Sequence, residues 1–484
     1  MRWEGIVIEG IFCIYILTIA IIAYNVIMEN RSPVRTLAWI TVLVAIPLVG
    51  LVLYMYFGIN YRKVKMFSRK GLGDEKWLEY MSEKNSGNAW KSAFFSKGDF
   101  NKVSHLITLL INNNKAVLTK GNRVDILNNG EEAFPSMFTA MRKARKFIHI
   151  EYYIFEKGEL WNTLKGILTE KAENGVEVRM IYDDVGSWKL PAKDIKEMRA
   201  VGIQVYPFLP VRFRKLAHRA NYRNHRKLLI VDGESAFTGG MNFADRYMAG
   251  LEGIGIWRDT HVRVKGEAVK ALHTVFLTDW YFVRQELLLD KEQYLPLFRE
   301  DRNVIAQAIS SGPDSDWATI RQAYFSMITM AKEHVYISTP YFMTGDAMLT
   351  AIKTAAMSGV DVRLLLPWRS DSVLTYWCTR SYAEELLEAG VKIYAYRKGF
   401  NHSKLIMVDG LVASVGTANM DNRSFEQNFE VGLIVYDREV TDKLEAFFKE
   451  DIKNSEQIYL NNWKFRPGRE RVKESLSRLF APLL

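Results

Sequence analysis

Two long apolar stretches open the chain. Residues 10–28 and residues 36–59 contain no charged side chain, so the stretches are 19 and 24 residues long. A helix of about 20 apolar residues crosses a hydrocarbon core of about 30 Å. The short loop between them has two basic side chains, whereas five Lys or Arg follow within residues 62–70. The pattern predicts a transmembrane hairpin over residues 1–60, with the rest of the chain on the cytoplasmic side.

Beyond the hairpin, a polar and basic segment (residues 61–100) is predicted to be a juxtamembrane linker. Apolar strands then alternate with amphipathic helices, and the same order occurs twice. The matching segments are 148–155 and 335–342, 174–179 and 358–363, and 202–206 and 390–394. This alternation predicts an α/β fold in which helices cover the faces of a sheet. The expected organisation is a domain over 101–290, a related domain over 291–468, and a tail over 469–484.

Composition narrows the class of partner. The chain has 484 residues, of which 48% are hydrophobic, so two packed domains are possible. A net charge of +10 favours an anionic partner, either nucleic acid or anionic lipid, and the apolar hairpin favours lipid. The two cysteines are Cys13 and Cys378, so neither a disulfide framework nor a cysteine metal site is expected.

One polar motif occurs in both copies of the repeat. A His is followed by Lys two residues later, Asp seven residues later and Asn 17 residues later. The motif consists of His225, Lys227, Asp232 and Asn242 in the first copy and of His402, Lys404, Asp409 and Asn419 in the second. The agreement of four residues at the same three spacings in two copies indicates one site that is assembled from two halves.

The residue types of the motif suit phosphoryl transfer. A neutral imidazole can attack phosphorus and form a covalent intermediate, while a second imidazole moves protons to and from the leaving and incoming oxygens. Each Lys lies two residues past its His and therefore shares its face of a strand. The Lys ammonium groups and the Asn242 and Asn419 amides can hold the non-bridging phosphate oxygens.

Each catalytic histidine also needs a carboxylate at its other ring nitrogen. Asp232 and Asp409 lie at an odd spacing from the histidines, on the opposite face of a regular strand, so they are predicted to fix the turns. Asp259 and Glu430 begin matching strands 34 and 28 residues past the two histidines. They are the predicted orienting carboxylates.

The paired His-x-Lys-x4-Asp motifs resemble those of the phospholipase D superfamily, and the hairpin with Ser32-Pro33 resembles that of bacterial cardiolipin synthases. The resemblance implies two phospholipase D-like repeats, each a mixed β-sheet flanked by helices, related by a pseudo-twofold axis. It implies transfer of a phosphatidyl group from one phosphatidylglycerol to another at a bacterial membrane, with anionic phospholipids as partners. No nucleic acid, metal or cofactor is implied.

The resemblance also assigns roles within the motif. It implies that His225 is the nucleophile and His402 the acid/base, although the near symmetry of the two copies leaves the reverse assignment open. It groups the remaining motif residues with them, so that the implied catalytic set is His225, Lys227, Asp232, His402, Lys404 and Asp409.

Three basic features each have two interpretations. Arg246 and Arg423, four residues past each Asn, either bind phosphate or form salt bridges. The segment 210–223, where the first copy has extra residues, either holds anionic head groups or is a solvated loop. The tail 469–484 has the pattern of a basic amphipathic helix, which lies in a membrane interface or docks on the protein core.

The motifs leave the acceptor open. A lipid hydrolase or another head-group exchanger of the same superfamily would use the same residues. A membrane-anchored nuclease would share the chemistry but does not need two spans, and a non-enzymatic scaffold would not need two complete motifs. The chain lacks the paired-aspartate pattern of metal-dependent CDP-alcohol phosphotransferases.

Overall fold

The computed structural model describes most of the chain beyond the N-terminal region. The described residues are 2–28, 33–46, 49–51, 54, 97–211, 222–288, 292–296, 300 and 302–484. The chain divides into two compact units, of which the smaller contains the described N-terminal residues. The larger contains the described residues of 97–210 and 222–484. The central part of the basic segment 210–223 and most of the predicted linker lie outside the described residues.

The N-terminal unit contains two helices, α1 (Arg2–Met28) and α2 (Pro33–Ala45). They contact each other through a small apolar cluster of Val26, Leu43 and Tyr54. Over the residues that the structure describes, no helix reaches the combined length and hydropathy of a membrane-spanning helix. The transmembrane hairpin over residues 1–60 therefore stays a prediction.

The larger unit alternates strands with helices in the order that the sequence pattern predicts. Its helices are α3 (Lys97–Asn114), α4 (Asn129–Lys143), α5 (Glu159–Glu173), α6 (Ala192–Ala200), α7 (Glu267–Arg284), α8 (Thr319–Met330), α9 (Asp346–Met357), α10 (Val373–Arg380), α11 (Ala383–Glu388), α12 (Asn422–Glu426), α13 (Arg438–Lys453), α14 (Leu460–Lys464) and α15 (Gly468–Arg478). Short 3-10 turns occur at Asp245–Tyr247, Glu292–Tyr294 and Ala481–Leu483.

Most strands belong to one large sheet, and two pairs of short strands lie outside it. The strands are β1 (Thr119–Asn128), β2 (Phe147–Tyr152), β3 (Glu177–Asp183), β4 (Gln204–Phe208), β5 (Lys227–Val231), β6 (Ser235–Gly239), β7 (Trp257–Arg258), β8 (Thr260–Lys265), β9 (Val304–Ser311), β10 (His334–Ser338), β11 (Phe342–Met343), β12 (Asp361–Pro367), β13 (Lys392–Tyr396), β14 (Phe400–Asn401), β15 (Leu405–Val408), β16 (Val412–Gly416), β17 (Met420–Asp421), β18 (Glu430–Tyr436) and β19 (Ser455–Ile458).

The large sheet is continuous and repeats one strand order outward from its centre. From β1 the order is β8, β6, β5, β2, β3 and β4, and from β9 it is β18, β16, β15, β10, β12 and β13, with β19 added at the edge. Strands β2, β3 and β4 run parallel, as do β10, β12 and β13, while the other neighbours are antiparallel. The predicted α/β architecture with two repeated, mixed halves is confirmed. The predicted domain boundaries stay predictions.

Apolar side chains at helical spacing attach the helices to the sheet. In α4, Phe134, Met137 and Met141 recur every three or four residues and are buried. In α13, Val440 and Leu444 do the same, and the helix begins where the Asp437 side chain accepts a hydrogen bond from the Val440 N–H. Covered strands such as β5 and β15 are apolar and buried throughout, which keeps the residues just before them at fixed positions.

Two tight turns are held by the motif aspartates. Asp232 has a left-handed φ of 54°, and its carboxylate accepts hydrogen bonds of 2.8–2.9 Å from the backbone N–H groups of residues 145–147. Asp409 has a φ of 53° and accepts three bonds of 2.8 Å from residues 332–334. Each carboxylate thus fastens the turn after a His strand to the start of β2 or β10. These hydrogen bonds account for both aspartates as turn residues, and the place of Asp232 and Asp409 in the implied catalytic set stays a prediction.

Substitution of Asp232 by Ala should therefore act on stability. Removing one carboxylate that receives three backbone hydrogen bonds should cost about 2–4 kcal/mol and lower the midpoint of thermal unfolding by several degrees. Asp442→Ala, at an exposed carboxylate of α13, is the matched control and should leave the midpoint nearly unchanged. Loss of activity in an Asp232→Ala protein of undiminished thermal stability would contradict the structural role.

Candidate active site

The two histidine segments each pair with a backbone segment of the other repeat. The His225 N–H donates to the Phe429 carbonyl at 2.9 Å, just before β18. The His402 N–H donates to the Arg258 carbonyl at 2.7 Å, and β14, just before His402, runs parallel to β7. The backbone of each half therefore brings one histidine to the start of a strand that belongs to the other half.

This crossing decides which carboxylate orients which histidine. Both Glu430 carboxylate oxygens lie 3.0 Å from Nδ1 of His225. Asp259 Oδ2 lies 2.7 Å from Nδ1 of His402. The two predicted carboxylates thus lie beside histidines, but each serves the histidine of the other repeat rather than the one upstream in its own. With Nδ1 held, Nε2 is the ring nitrogen left for chemistry.

The carboxylates are themselves held in place and are fully buried. Glu430 accepts hydrogen bonds from the Thr417 hydroxyl and, at 3.1 Å, from the Asn428 amide. Asp259 accepts from the N–H of the following residue at 2.7 Å. Gly240 makes room for it, because a Cβ at that position would overlap with the Asp259 carboxylate. Each histidine therefore contacts a carboxyl group whose position is set by surrounding hydrogen bonds.

A buried arginine anchors each crossing. Arg226 forms an ion pair with Asp279 of α7, and its Nε donates to the Glu430 carbonyl at 3.2 Å. At the other crossing, Arg258 forms an ion pair with Asp451 of α13, with Nε 2.9–3.0 Å from both oxygens. The arginine comes from the histidine segment in the first crossing and from the carboxylate segment in the second. Because the two arginines occupy different positions in the two crossings, comparison of the repeats did not reveal either residue.

The motif lysines lie beside the histidines in a buried setting. Lys227 Nζ donates to the His225 carbonyl at 2.7 Å, and Lys404 Nζ donates to the His402 carbonyl. Burial lowers the pKa of Lys227 to about 7 and that of Lys404 to about 8. The nearby charge of Lys404 also lowers the pKa of Lys227. A bound anion would stabilise both ammonium groups.

The two histidines differ in their surroundings. Besides Asp259, Nδ1 of His402 lies 2.8 Å from Lys404 Nζ and 3.2 Å from the Tyr247 hydroxyl. One ring nitrogen cannot donate to a carboxylate and accept from an ammonium at once, so these groups compete. Burial raises the pKa of Asp259 to about 7. The protonation state of this carboxyl group, and with it the outcome of the competition, therefore changes near neutral pH. His225 has the simpler environment, and burial lowers its pKa to about 4 even though Glu430 opposes the shift.

Both histidines line a single cavity of about 350 Å³. Asn242 and Asn419 line it as well. Asn242 is held by hydrogen bonds to the Ile154 N–H and the Tyr247 hydroxyl, whereas Asn419 Oδ1 is buried without a hydrogen-bond partner among the described residues. The remaining lining residues are Tyr153, Ile154, Arg223, Arg246, Trp257, Tyr341, Met343, Asp371, Thr375, Asp421, Arg423, Asn428 and Leu484.

The recurring arginines also reach this cavity. Arg246 forms an ion pair with Glu156, and its guanidinium lies 5.0 Å from the centre of the Trp257 ring. Arg423 Nε lies 3.4 Å from the Asn428 side chain. Arg246 thus forms a salt bridge, which was one of the two roles considered for it. Both arginines also line the cavity, where an anion would contact them.

Tyr247 is a site residue that the sequence analysis missed. Its hydroxyl contacts both Asn242 and His402, and its ring is buried. The second repeat has Ser424 at the same distance past its Asn, so the repeat comparison offers no signal for a tyrosine. Within the part of the chain that the structure describes, no group of three or more His, Cys, Asp or Glu side chains has the arrangement of a metal site.

Comparison with known proteins identifies the family. Residues 137–280 and 324–452 match the family described as "Cardiolipin synthase, PLD-like domain", which together is more than half of the chain. The chain belongs to the cardiolipin synthase family of the phospholipase D superfamily. Members of the cardiolipin synthase family are phosphatidyltransferases, so the predicted enzyme class is confirmed. Residues 14–58 match a second family, "Phospholipase D-nuclease N-terminal".

Individual relatives match this chain over nearly its whole length. A cardiolipin synthase of Geobacillus sp. (strain WCH70) is 43% identical over 484 residues, which is 100% of this chain and 95% of the relative. A probable cardiolipin synthase of Bacillus subtilis is 40% identical over 98% of this chain and 93% of its own. A phosphatidylserine synthase of Haemophilus influenzae has the same fold, with a TM-score of 0.61 at 14% identity, over 78% of this chain and 100% of its own.

The lysine environment predicts how anion affinity depends on pH. Glycerophosphoglycerol keeps one negative charge between pH 6 and pH 9, so its affinity should follow the charge of the protein. Lys227 and Lys404 are charged below their pKa values of about 7 and about 8 and lose their protons above them. The Kd should therefore rise roughly tenfold or more from pH 6 to pH 9, by proton linkage.

Titration calorimetry at constant ionic strength measures this change and the proton uptake that accompanies binding. Lys404→Met keeps the length of the side chain and should remove part of the pH dependence. A Kd that stays constant from pH 6 to pH 9 would contradict the lowered pKa values or the contribution of the lysines to anion binding.

Proposed function

We propose that this protein is a cardiolipin synthase that transfers the phosphatidyl group of one phosphatidylglycerol to a second one, giving cardiolipin and glycerol. One observation carries the proposal. Two histidines with crossed carboxylates face one cavity in a chain that is 40–43% identical over nearly its full length to cardiolipin synthases. Phosphatidylglycerol is then both the donor and the acceptor, and no other lipid is needed.

In the first half of the reaction, Nε2 of His225 attacks the phosphorus of the first phosphatidylglycerol. The bond from phosphorus to the glycerol oxygen breaks, and His402 in its imidazolium form donates a proton to that oxygen. Glycerol leaves, and the phosphatidyl group is bound covalently to His225. The pKa of His225 is lowered, so its ring is unprotonated and carries the lone pair that attacks. The pKa of His402 is lowered as well, so the choice of His225 as nucleophile rests on the family resemblance.

In the second half, a hydroxyl of the second phosphatidylglycerol gives its proton to His402 and attacks the phosphorus. The P–N bond breaks, which releases cardiolipin and free His225. Burial also lowers the pKa of His402. A bound phosphodiester adds a negative charge beside both rings and raises their pKa values, so protonation of His402 is favoured when substrate is present.

The cations and amides of the cavity suit the charge of the reacting group. Lys227 and Lys404 neutralise it, and the Asn242 and Asn419 amides donate to the non-bridging oxygens. In the protein alone, Asn419 Nδ2 donates to Asp421 Oδ2 at 3.1 Å, while its buried Oδ1 has no hydrogen-bond partner among the described residues and is available to accept from a substrate hydroxyl. Anchoring by an N-terminal hairpin, with the site on the cytoplasmic side of a bacterial membrane, is part of the proposal.

Purified protein supplied with phosphatidylglycerol as the only lipid should form cardiolipin and glycerol in equal amounts. His225→Ala should form neither, since it removes the nucleophile. Lipid chromatography and an enzymatic glycerol assay measure the two products. Phosphatidic acid as the only lipid product would identify a hydrolase, and cardiolipin formed by His225→Ala would contradict the covalent mechanism.

The crossed pairing predicts that a residue of the second repeat controls the nucleophile of the first. Glu430→Gln removes the charge that orients His225 and should lower kcat by a factor of roughly a thousand or more, as for other His–carboxylate pairs. Rapid quenching should show correspondingly slower labelling of residue 225 by phosphatidylglycerol with labelled acyl chains.

Glu445→Gln is the matched control. Glu445 is a buried carboxylate 2.6 Å from Nε2 of His334, so it forms a similar pair outside the cavity. Its substitution should leave kcat nearly unchanged. Equal effects of the two substitutions on kcat would show that Glu430 acts through stability rather than through His225.

A further inference from the structure

Helix α15, in the tail, is docked on the protein through its polar side. Glu474 and Ser477 are buried there, although both are polar. The Glu474 carboxylate receives Arg380 of α10 at 3.2 Å and Arg466 at 2.8 Å, and Arg380 also binds Glu470 at 2.8 Å. A set of ion pairs therefore fixes which side of the helix faces the protein.

The opposite side of α15 is apolar and exposed. Val472, Leu476 and Leu479 recur at helical spacing on the side away from Glu474. Phe465 before the helix and Phe480 after it are exposed as well. We call these five residues the tail face, and each is between 48% and 89% exposed. Docking on the core, one of the two interpretations of the tail, thus leaves its apolar side uncovered.

The chain that follows the tail face leads to the rim of the catalytic cavity. After α15 the chain turns through Ala481–Leu483 to Leu484, whose carbonyl accepts a 2.9 Å hydrogen bond from the Arg423 N–H. Leu484 and Arg423 both line the cavity. Helix α10 packs along α15, and its residue Thr375 also lines the cavity, next to the exposed Val373 and Leu374.

The charges beside the tail face fit a negatively charged surface. Arg469, Arg471 and Lys473 are exposed on α15. Apolar side chains flanked by basic ones bind the interface of an anionic bilayer, where the apolar groups enter the acyl boundary and the cations meet the head groups. Two copies of this chain joined through the same face would instead bring like charges together, which disfavours association.

We propose that the tail face docks on the surface of an anionic lipid bilayer and holds the mouth of the catalytic cavity at the level of the head groups. Ion pairs on the protein side and apolar contacts on the lipid side then position the cavity without any movement of α15. This inference rests on the proposed function for its choice of lipid, and it adds the surface through which that lipid would be approached.

A fluorophore reports lipid contact without depending on activity. In the full chain with Cys13→Ser, an NBD label is placed on Leu476→Cys or, as control, on Met357→Cys of α9, which is 76% exposed. Burial raises the pKa of the Cys378 thiol to about 12, so it stays unlabelled at neutral pH. In vesicles of phosphatidylglycerol and phosphatidylcholine, the label at 476 should shift to shorter wavelength and be quenched by nitroxide lipids, and the label at 357 should not.

An activity comparison tests what docking does. Leu476→Glu/Leu479→Glu should lose roughly tenfold of the activity on phosphatidylglycerol in vesicles, since two apolar contacts with lipid become charged. It should keep its activity on short-chain phosphatidylglycerol dispersed as monomers. Phe325→Glu/Met357→Glu, with two exposed apolar side chains of α8 and α9, should keep both activities.

Three outcomes would overturn the proposal. The first is a label at 476 whose emission does not shift in vesicles. The second is a shift that depends on protein concentration and occurs equally without lipid, which would identify an interface between copies of the chain. The third is an equal loss of activity on both substrates. A wild-type protein that makes no cardiolipin from either substrate would contradict the proposed function, while the fluorescence result would still decide whether the tail face contacts lipid.

Discussion

The contact on which the rest of this site depends is the crossed pair of histidine and carboxylate. Glu430 holds His225 and Asp259 holds His402, so neither repeat contains a complete set of groups. The pairing requires that the two half-sheets join in a fixed register, which the antiparallel pairing of β1 with β9 provides. One repeat alone could not orient its imidazole in this way, because the carboxylate that contacts each histidine belongs to the other repeat.

Burial then turns this geometry into an anion site. His402, the two motif lysines and the two orienting carboxylates are buried and His225 is 12% exposed, so charges there interact strongly. Burial lowers the pKa values of Lys227 and Lys404, and the charge of Lys404 lowers the pKa of Lys227 further. The lysines beside the cavity are therefore cations whose charged forms burial disfavours, and a negatively charged ligand would stabilise those forms.

How far the sequence predicted this site depends on the range of each interaction. The motif aspartates were recognised as turn residues because an odd spacing in a strand is a local property. The buried anchors Arg226 and Arg258 were not recognised, since each belongs to a different segment of its repeat. The orientation of α15 was not recognised either. The sequence left open whether its apolar side meets a membrane or the protein core, and ion pairs of Glu474 with Arg380 and Arg466 turn its polar side toward the protein.

The sequence by itself determined the α/β repeats, the duplicated His, Lys and Asn sets and the two candidate carboxylates. Periodicity and spacing carry that information within a few residues. The tertiary structure alone decided that the carboxylates cross between repeats, that Tyr247 contacts His402, and that the tail presents its apolar side outward. The crossed contacts join residues that are 205 and 143 positions apart. Contacts at that separation follow from how the sheet halves meet, which no local pattern of side chains specifies.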